Sequence, residues 1–431
     1  MSKPEVKVGI LGFGIVGCGA YQVLIDNAAE IAQRVGAPVT VAKVCDIDWS
    51  REREIMPPEA ARTSDAYEII DDPDIDIVIE TIGGTKPATK FVLDAIAAGK
   101  CVVTSNKEMM AKDGEQILNL AHEQGVDVQF EGAVGGVIPI IRALKESLAA
   151  SRLDNVVGIV NGTTNYILTK MSQEGKQYAD VLAEAQALGY AEANPTADVE
   201  GIDAANKIAI LAAIAFGLRV DVDSVYREGI TKLTAQDIRY ADKMGYAIKL
   251  LAIAKRGEGD ELELRVHPAF LPKTHPLANV NGVFNAIFVH GEACDDVMLY
   301  GRGAGSLPTG AAVAGDAVDC ARNVLLGATG RVPCTCTGSA SIKPIADVET
   351  SVYIRMRVTD RPGVMGTIAT IFGQEGVSIQ SVIQEASISD AVAEIVWVVH
   401  KGPEQRMRNA LASIEHLGIV ESIPSVIRVE E

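Results

Sequence analysis

The sequence lacks several features that would assign it to whole classes of protein. No apolar run reaches the roughly 18 residues that a membrane-spanning helix needs. The chain has a net charge of −18 and no cluster of lysine or arginine, which argues against nucleic acid and membrane as partners. The first apolar strand starts too near the N-terminus to leave room for a signal peptide. We therefore expect a cytoplasmic protein.

The chain also lacks the cysteine pattern of a disulfide-stabilised protein. Its 7 cysteines are odd in number, sparse, and contain no CxxC motif. Cys334 and Cys336 form a CTC motif that could pair or bind a metal. We favour their interpretation as small core residues.

The 431 residues are enough for two to four domains. Strand and helix patterns alternate through the first third of the chain, with predicted helices at 86–98 and 108–124. Near-continuous apolar strands in this arrangement indicate an α/β fold with a doubly wound parallel sheet of the Rossmann type. The predicted strands are 6–12, 39–45, 75–82, 101–104 and 126–131.

The pattern changes after residue 136 to that of an α+β domain for catalysis and dimerisation. We predict helices at 164–174, 178–188, 203–217 and 234–243, followed by strands at 246–255, 261–268, 283–290 and 297–300. A glycine-rich stretch, 300–318, starts a long helix that we expect to return to the first domain. Residues 331–350 are small and polar and are typical of a linker.

The last 80 residues predict a β-α-β-β-α-β module, which is the ferredoxin-like pattern. Its predicted strands are 351–358, 377–387, 391–400 and 424–429, and its helices are 362–375 and 403–417. The predicted domains are therefore 1–136 (completed by a helix at about 308–330), 137–307 and 351–431, with the linker between the last two.

A glycine loop follows the first predicted strand. Gly12, Phe13, Gly14, Ile15, Val16 and Gly17 match G-x-G-x-x-G, which alone indicates only a tight strand-to-helix turn. Here it opens a helix, and Asp46 closes the second strand. The first glycine permits the turn, the second lets a pyrophosphate approach the backbone, and the third lets helix and strand pack closely. The sequence therefore predicts a dinucleotide site.

The choice between NAD and NADP stays open. Asp46 could accept hydrogen bonds from the ribose hydroxyls, which favours NAD. Arg51 and Arg53 follow closely and could instead hold a 2′-phosphate. We favour NAD slightly and keep use of both cofactors open.

Polar residues in the second predicted domain indicate a site for a small amine-bearing substrate. Asp203 and Lys207 are four residues apart on one face of a predicted helix. Glu192 and Asp198 lie in the loop before them. Lys107 follows the fourth strand, where the carboxyl end of a parallel sheet lines a ligand crevice. An ordinary surface ion pair, and a surface lysine at a helix start, are the alternatives.

The chain closely resembles homoserine dehydrogenase over about residues 5–330. The resemblance rests on the glycine loop, "IETIGG" (79–84), "VTSNK" (103–107), "FEGAVGGVIPII" (130–141), "NGTTNYIL" (161–168), "GYAEANPTADVEGIDAANK" (189–207), "NAIFVHG" (285–291) and "YGRGAG" (300–305). It implies interconversion of L-aspartate 4-semialdehyde and L-homoserine by hydride transfer with NAD or NADP.

The resemblance also implies roles for individual residues. Lys207 would donate a proton to the aldehyde oxygen, or accept one from homoserine, and Asp203 would hold Lys207 and touch the substrate. Glu192 would bind the substrate ammonium with support from Asp198. The resemblance also implies sites for five other residues. These are Lys107 between cofactor and substrate, Thr163 and Tyr190 at the substrate, and Gly189 and Gly305 along the cofactor.

The family carries a structural monovalent cation, usually sodium, held by backbone carbonyls. The matching positions in this chain are Glu131, Val134, Gly136 and Ile138. Carbonyl oxygens are hard ligands suited to such an ion. Side-chain identity would not have revealed this site.

Residues 358–384 resemble an ACT domain, a ferredoxin-like amino-acid sensor. Its turn, Asp360–Val364, would meet an effector's carboxylate at the start of a helix. Asp360 could cap that helix or take the effector's ammonium. The resemblance suggests L-threonine as inhibitor and a homodimer or homotetramer. A dimerisation module without ligand is the alternative.

Two other functions compete with a homoserine dehydrogenase. An aspartate-semialdehyde dehydrogenase would need a cysteine nucleophile, and the chain has none between Cys101 and Cys294. A catalytically silent amino-acid-sensing protein would have no use for both lysines and the three carboxylates.

Overall fold

The computed structural model describes residues 3–334, 336, 338–384 and 391–430. Its strands are β1 (Val6–Leu11), β2 (Val39–Cys45), β3 (Arg62–Thr63), β4 (Ile77–Glu80), β5 (Cys101–Thr104), β6 (Val128–Gln129), β7 (Leu153–Ile159), β8 (Leu218–Arg219), β9 (Tyr226–Arg227), β10 (Tyr246–Arg256), β11 (Glu261–Pro272), β12 (Phe284–Gly291), β13 (Asp295–Arg302), β14 (Gly338–Ser339), β15 (Ser341–Ile342), β16 (Glu349–Thr359), β17 (Ile379–Gln384), β18 (Val392–Pro403) and β19 (Val420–Val429).

The helices alternate with these strands through the first third and cluster afterwards. They are α1 (Ile15–Asp26), α2 (Ala28–Val35), α3 (Tyr67–Ile70), α4 (Ala88–Ala97), α5 (Lys107–Gln124), α6 (Ile140–Arg142), α7 (Gly162–Glu174), α8 (Tyr178–Ala187), α9 (Thr196–Val199), α10 (Ile202–Phe216), α11 (Ala235–Lys243), α12 (Ser306–Leu326), α13 (Val364–Gln374) and α14 (Glu404–Glu415). Among the described residues, every helix is too short or too polar to span a lipid bilayer.

The chain forms two compact units, each built from three segments. Unit 1 comprises Met1–Gly162, Ala205–Ser224 and Phe284–Ala340, and unit 2 comprises Thr163–Ala204, Val225–Val283 and Ser341–Glu431. Both units draw on the region predicted as the second domain. The predicted domain boundaries therefore stay a prediction.

Unit 1 contains a six-stranded parallel sheet in the order β3-β2-β1-β4-β5-β6. This order, reversing between β1 and β4, is that of a dinucleotide-binding fold, and the predicted doubly wound sheet is confirmed. β1, β4 and β5 are almost wholly buried, as parallel strands covered on both faces must be.

Helix α12 packs on α1 through two glycines. A Cβ on Gly19 would lie 2.0 Å from the Ser306 carbonyl oxygen, and one on Gly310 would lie 2.4 Å from the Gly19 backbone. Only glycine permits so close an approach. The contact brings the N-terminus of α12 to the start of α1, where the Ser306 hydroxyl donates to the Ile15 carbonyl at 2.9 Å.

Unit 2 contains a sheet in the order β10-β11-β19-β16-β18-β17, with β9 and β15 also paired to β11. Its last four strands, with α13 and α14, form the predicted β-α-β-β-α-β module, whose core packs Phe372 against Trp397 at 5.4 Å between ring centroids. The module's final strand, β19, pairs in parallel with β11 through Ala269–Arg428 and Phe270–Val429. A single sheet thus joins the module to the preceding part of unit 2.

The predicted strands differ from the structure at β6 and β7. The strand predicted at 126–131 is only β6, because a 3₁₀ turn begins at Glu131. β7 was not among the predicted strands, although the junction before 161–168 required one. The strand predicted at 377–387 matches β17, and its last three residues lie outside the described part.

Candidate active site

The glycine loop of unit 1 is shaped for a bound phosphate group. Gly12 has a φ of +92°, and a Cβ there would meet the backbone of Ile82 at 2.9 Å. A Cβ on Gly17 would lie 2.2 Å from the Gly12 carbonyl oxygen. Gly14 faces open space and caps α1 without any side-chain hydrogen bond. The first turn of α1 therefore presents backbone N–H groups to an anion.

Asp46 holds the loop from the end of β2. Its Oδ2 accepts a hydrogen bond from the Phe13 N–H at 2.8 Å, and its Oδ1 lies 3.1 Å from Arg53 Nη2. Arg53 also donates to the carbonyls of Phe13 and Asp48, each at 2.8 Å. Arg51, by contrast, is exposed. Arg53 is thus committed to holding the loop, which leaves Arg51 as the more accessible cation for a 2′-phosphate.

A buried polar network, absent from the predicted site, positions Lys107 at the start of α5. The Glu80 carboxylate accepts hydrogen bonds from the Thr104 hydroxyl at 2.6 Å and the Ile82 N–H at 2.7 Å. The Asn106 N–H donates to the Thr104 hydroxyl, and the Asn106 side chain caps α5 by accepting from the Met109 N–H. Burial raises the pKa of Glu80. The signal available in the sequence was polar residues at the ends of two neighbouring strands.

Lys207 lies in α10 with its ammonium group buried. Its side chain is 7% exposed, and Nζ donates to the Val160 carbonyl at 2.7 Å. Val160 follows β7 directly, so the strand end fixes the position of the amine. The alternative of an ordinary surface ion pair is therefore wrong for Lys207, because the residue is buried.

The remaining predicted substrate residues lie in unit 2. The Thr163 hydroxyl donates to the Tyr190 carbonyl at 2.7 Å, so the structure brings these two residues together. The Tyr190 ring contacts Tyr166 at 5.0 Å between centroids. Gly189 has a φ of +75°, which ends α8 and turns the chain into the loop that carries Glu192.

Asp198 and Asp203 lie on two successive helices that follow that loop. Asp198 belongs to α9, and Asp203 occupies the first turn of α10, where it is 6% exposed. A carboxylate in a first helical turn is stabilised by the helix dipole. Asp203 and Lys207 stand one turn apart on this helix, as predicted.

Lys249 is a buried cation in unit 2 that the sequence analysis missed. Its Nζ donates to the Val280 carbonyl at 2.5 Å and to the side chains of Asn165 and Asn281 at 3.2 and 3.1 Å. Burial lowers the pKa of Lys249 to about 8. Asn165 belongs to the polar segment at the start of α7, so Lys249 supports that segment from β10.

The predicted cation loop is a buried turn rich in carbonyl groups. Gly135 and Gly136 both have positive φ, and a Cβ on Gly136 would lie 2.5 Å from the Arg302 carbonyl oxygen and 2.8 Å from that of Gly303. The Glu131 carboxylate accepts from the N–H groups of Ile141 and Arg142, which fixes the turn from within. Val134 and Ile138 are buried in the same turn.

Gly305 precedes α12 and lies in unit 1 with the glycine loop. Its φ of +125° allows the chain to turn from β13 into the helix. Because α12 starts against Ile15, the Gly305 turn is next to the N-terminus of α1. This placement fits the predicted position along a dinucleotide.

Three family models match successive parts of the chain. Residues 12–131 match the NAD-binding domain of homoserine dehydrogenase, 139–318 match the homoserine dehydrogenase model, and 352–416 match the ACT domain. With the open glycine loop and the βαββαβ module, these matches define an NAD(P)-dependent oxidoreductase that carries an ACT domain.

Known proteins resemble the chain over its whole length. The homoserine dehydrogenase of Neisseria gonorrhoeae is 45% identical over 99% of each chain. A crystal structure of a homoserine dehydrogenase from Thiobacillus denitrificans is 43% identical, with a TM-score of 0.93 over 99% of this chain and 98% of that one. The chain belongs to the homoserine dehydrogenase family.

A more distant relative bears on the cofactor. A hyperthermophilic archaeal homoserine dehydrogenase mutant, solved in complex with NADPH, is 27% identical over 73% of this chain and 97% of that one, with a TM-score of 0.63. The predicted enzyme class and dinucleotide use are confirmed at the level of NAD(P).

Proposed function

We propose that this enzyme interconverts L-aspartate 4-semialdehyde and L-homoserine with Lys207 as its proton-transferring group. The observation that carries the proposal is the buried ammonium of Lys207, held at 2.7 Å from the Val160 carbonyl. A nicotinamide cofactor, when bound, supplies or accepts the hydride. Reduction of the aldehyde places negative charge on its oxygen, so Lys207 delivers a proton there.

The carboxylates orient the substrate and the lysine. Asp203, one turn before Lys207 on α10, holds the amine and contacts the substrate. Glu192 binds the substrate ammonium, with Asp198 beside it in sequence to support that contact. Thr163, which holds the Tyr190 carbonyl, keeps the loop between α8 and α9 in place.

The residues of the glycine loop hold the dinucleotide. The pyrophosphate rests on the open first turn of α1, from Gly14 to Gly17. Asp46 holds the loop and favours NAD. The exposed Arg51 could hold the 2′-phosphate of NADP, and the archaeal relative was solved in complex with NADPH. Lys107, which follows the Asn106 cap at the start of α5, would bridge cofactor and substrate.

Comparing single and double variants tests whether Asp203 and Lys207 act as a unit. Homoserine-dependent reduction of NAD⁺ or NADP⁺ is followed by absorbance for Asp203→Ala, Lys207→Ala and the double variant. Groups that act together lose similar activity singly and doubly. Additive losses would separate Asp203 from the proton-transfer step.

We also place a structural monovalent cation in the loop from Glu131 to Ile138. The carbonyl oxygens of Glu131, Val134, Gly136 and Ile138 would hold it, because this buried turn concentrates backbone oxygens and positions no cationic side chain from its own sequence. Thermal unfolding in sodium chloride and in tetramethylammonium chloride at equal ionic strength tests the site. Equal midpoints in the two salts would exclude it.

The ACT module is the proposed site of feedback inhibition by L-threonine, in an enzyme of at least two subunits. Gly363, with a φ of +92°, begins α13 without a side-chain cap, so the first turn can receive a carboxylate. The final strand of the module pairs with β11, and deleting the module would therefore damage unit 2. The point variant Asp360→Ala is the sounder test.

Threonine inhibition is measured on the full-length enzyme and on Asp360→Ala. We expect millimolar threonine to inhibit the former, and the variant to require a higher concentration. Linkage requires substrate to weaken threonine binding in return. Unchanged inhibition in the variant would place threonine at the substrate site, and no inhibition of either protein would leave the module with another effector or with dimerisation alone.

A further inference from the structure

The CTC motif lies at a cavity of unit 1 that the proposed reaction does not use. The cavity has a volume of about 140 Å³, large enough to admit small polar molecules. Its walls are formed by α5, by the C-terminal half of α10 and by Cys334 and Cys336. Both cysteines are partly exposed. The favoured interpretation of these cysteines as core residues is therefore wrong, because solvent reaches both residues.

The two cysteines are turned towards one another. The Cys336 N–H donates to Cys334 Sγ at 3.5 Å, and Cys336 Sγ lies 3.1 Å from the Ala213 carbonyl oxygen of α10. The charged groups around the pair come from three elements. They are Lys112 and Glu115 on α5, Lys145 in the helical turn Ala143–Ser147 after α6, and Arg219 on β8.

These surroundings favour a thiolate at Cys334. The hydrogen bond from the Cys336 thiol is the largest influence and, with its N–H and the charges of Lys145 and Arg219, lowers the pKa of Cys334 to about 6 against the effect of burial. The same hydrogen bond raises the pKa of Cys336. One cysteine is thus a nucleophile at neutral pH, and its neighbour retains its proton.

Another cysteine pair in the same unit provides an internal contrast. Cys101 of β5 and Cys320 of α12 are also adjacent, but both are buried. The hydrogen bond with Cys101, together with burial, raises the pKa of Cys320. Oxidisable cysteine pairs combine a low pKa, access to solvent and a nearby resolving thiol. Only the pair at the cavity meets all three conditions.

We propose that Cys334 and Cys336 form a reversible dithiol–disulfide site for hydroperoxides. The Cys334 thiolate attacks the peroxide, so that an S–O bond forms, the O–O bond breaks, and hydroxide leaves to take up a proton. Cys336 then attacks the sulfenic sulfur, the S–S bond forms, the S–O bond breaks, and the departing hydroxide takes the Cys336 proton. Hydrogen peroxide is reduced to two waters, and an added dithiol reverses the change.

Oxidation of the full-length enzyme by equimolar hydrogen peroxide tests this proposal. After the reaction, free thiols are alkylated under denaturing conditions, and the tryptic peptide that follows Arg331 is weighed, since it contains both cysteines. We expect this peptide to lose two hydrogen atoms and to escape alkylation, and dithiothreitol to restore it. Cys101 and Cys320 serve as the matched pair and should remain alkylatable.

Two variants separate the roles of the sulfurs. Cys336→Ser should stop at a sulfenic acid on Cys334 that dimedone traps, whereas Cys334→Ser should abolish the fast oxidation.

In the wild type the oxidation rate should rise through about pH 6. Lys145→Met should move that rise to higher pH. Oxidation of the CTC peptide no faster than that of Cys101 and Cys320, or a rate that rises only near the ordinary cysteine pKa, would overturn the proposal. The extent of CTC oxidation and its pH dependence are both measured without the proposed dehydrogenase reaction.

Discussion

Glu430, near the end of the chain, is expected to stabilise unit 2 through a buried ion pair. Its carboxylate accepts hydrogen bonds from both terminal nitrogens of Arg265 and from Lys255 Nζ at 3.2 Å. The side chains of Arg265 and Glu430 are 2% and 9% exposed. Neutral His267, buried beside them, accepts from Arg265 and cannot replace the acid.

The size of this stabilisation follows from the pKa of Glu430. Burial alone would raise its pKa, but the charges of Arg265 and Lys255 lower it to about 2. The difference from the ordinary value of about 4.3 corresponds to roughly 3 kcal/mol, the lower end of the 3–5 kcal/mol observed when a buried pair loses one partner. We therefore expect Glu430→Gln to lower the free energy of unfolding by about 3 kcal/mol at pH 7.5.

Equilibrium urea unfolding followed by tryptophan fluorescence measures this change. Trp49 and Trp397 are the 2 tryptophans, so a Trp49→Phe background leaves Trp397 of β18 as the reporter of unit 2. Exposed Glu415→Gln is the charge-matched control.

The pH dependence has a definite sign. Because the folded pKa is lowered, this stabilisation is present above about pH 4.3 and is lost as the pH falls towards 2. A loss under about 1 kcal/mol, or one equal to the control, would refute the reasoning.

Two further predictions concern unit 1. Asp46→Ala should lower kcat/KM for both cofactors, because the Phe13 N–H and Arg53 lose their partner, and it should reduce any preference for NAD. Steady-state assays with each cofactor measure both effects. A wild-type preference for NADP of tenfold or more would show that Arg51 decides the choice of cofactor. Burial and the neighbouring Glu131 raise the pKa of Asp316 to about 8. The folded state therefore keeps a proton on Asp316 that the unfolded state releases near pH 4. Because of this difference, the free energy of unfolding should fall as the pH rises from about 4 to 8. Asp316→Asn should flatten that fall in urea unfolding across the same range, and an unchanged slope would contradict the assignment.

Much of the fold could be predicted because its signals are local. β2 and β5 were located to the residue, since each is rich in valine and other residues that favour strands. The doubly wound parallel sheet was predicted from the alternation of strands and helices. The joining of β19 to β11 could not be predicted, because only two residue pairs connect strands more than 150 residues apart.

The site was predicted in part for the same reason. The glycine loop and the Asp203–Lys207 spacing are local patterns that their chemistry explains. The Glu80–Thr104–Asn106 network is not local, because it exists only once β4 and β5 are neighbours. Arg53 looked like a free cation in sequence, yet folding commits it to the Phe13 and Asp48 carbonyls. Hydrogen-bond partners that are far apart in the sequence cannot be identified from the sequence alone.

The central claim is that buried Lys207 transfers the proton in homoserine oxidation. Its most direct test is kcat for homoserine-dependent reduction of NAD⁺ or NADP⁺ by the wild type, by Lys207→Met and by exposed Lys401→Met as control, with cofactor affinity measured separately by fluorescence titration. We expect an active wild type, an unaffected control, and a loss of about 10²–10⁴-fold in kcat for Lys207→Met with little change in cofactor affinity. A Lys207→Met enzyme that retains most of its kcat would contradict it.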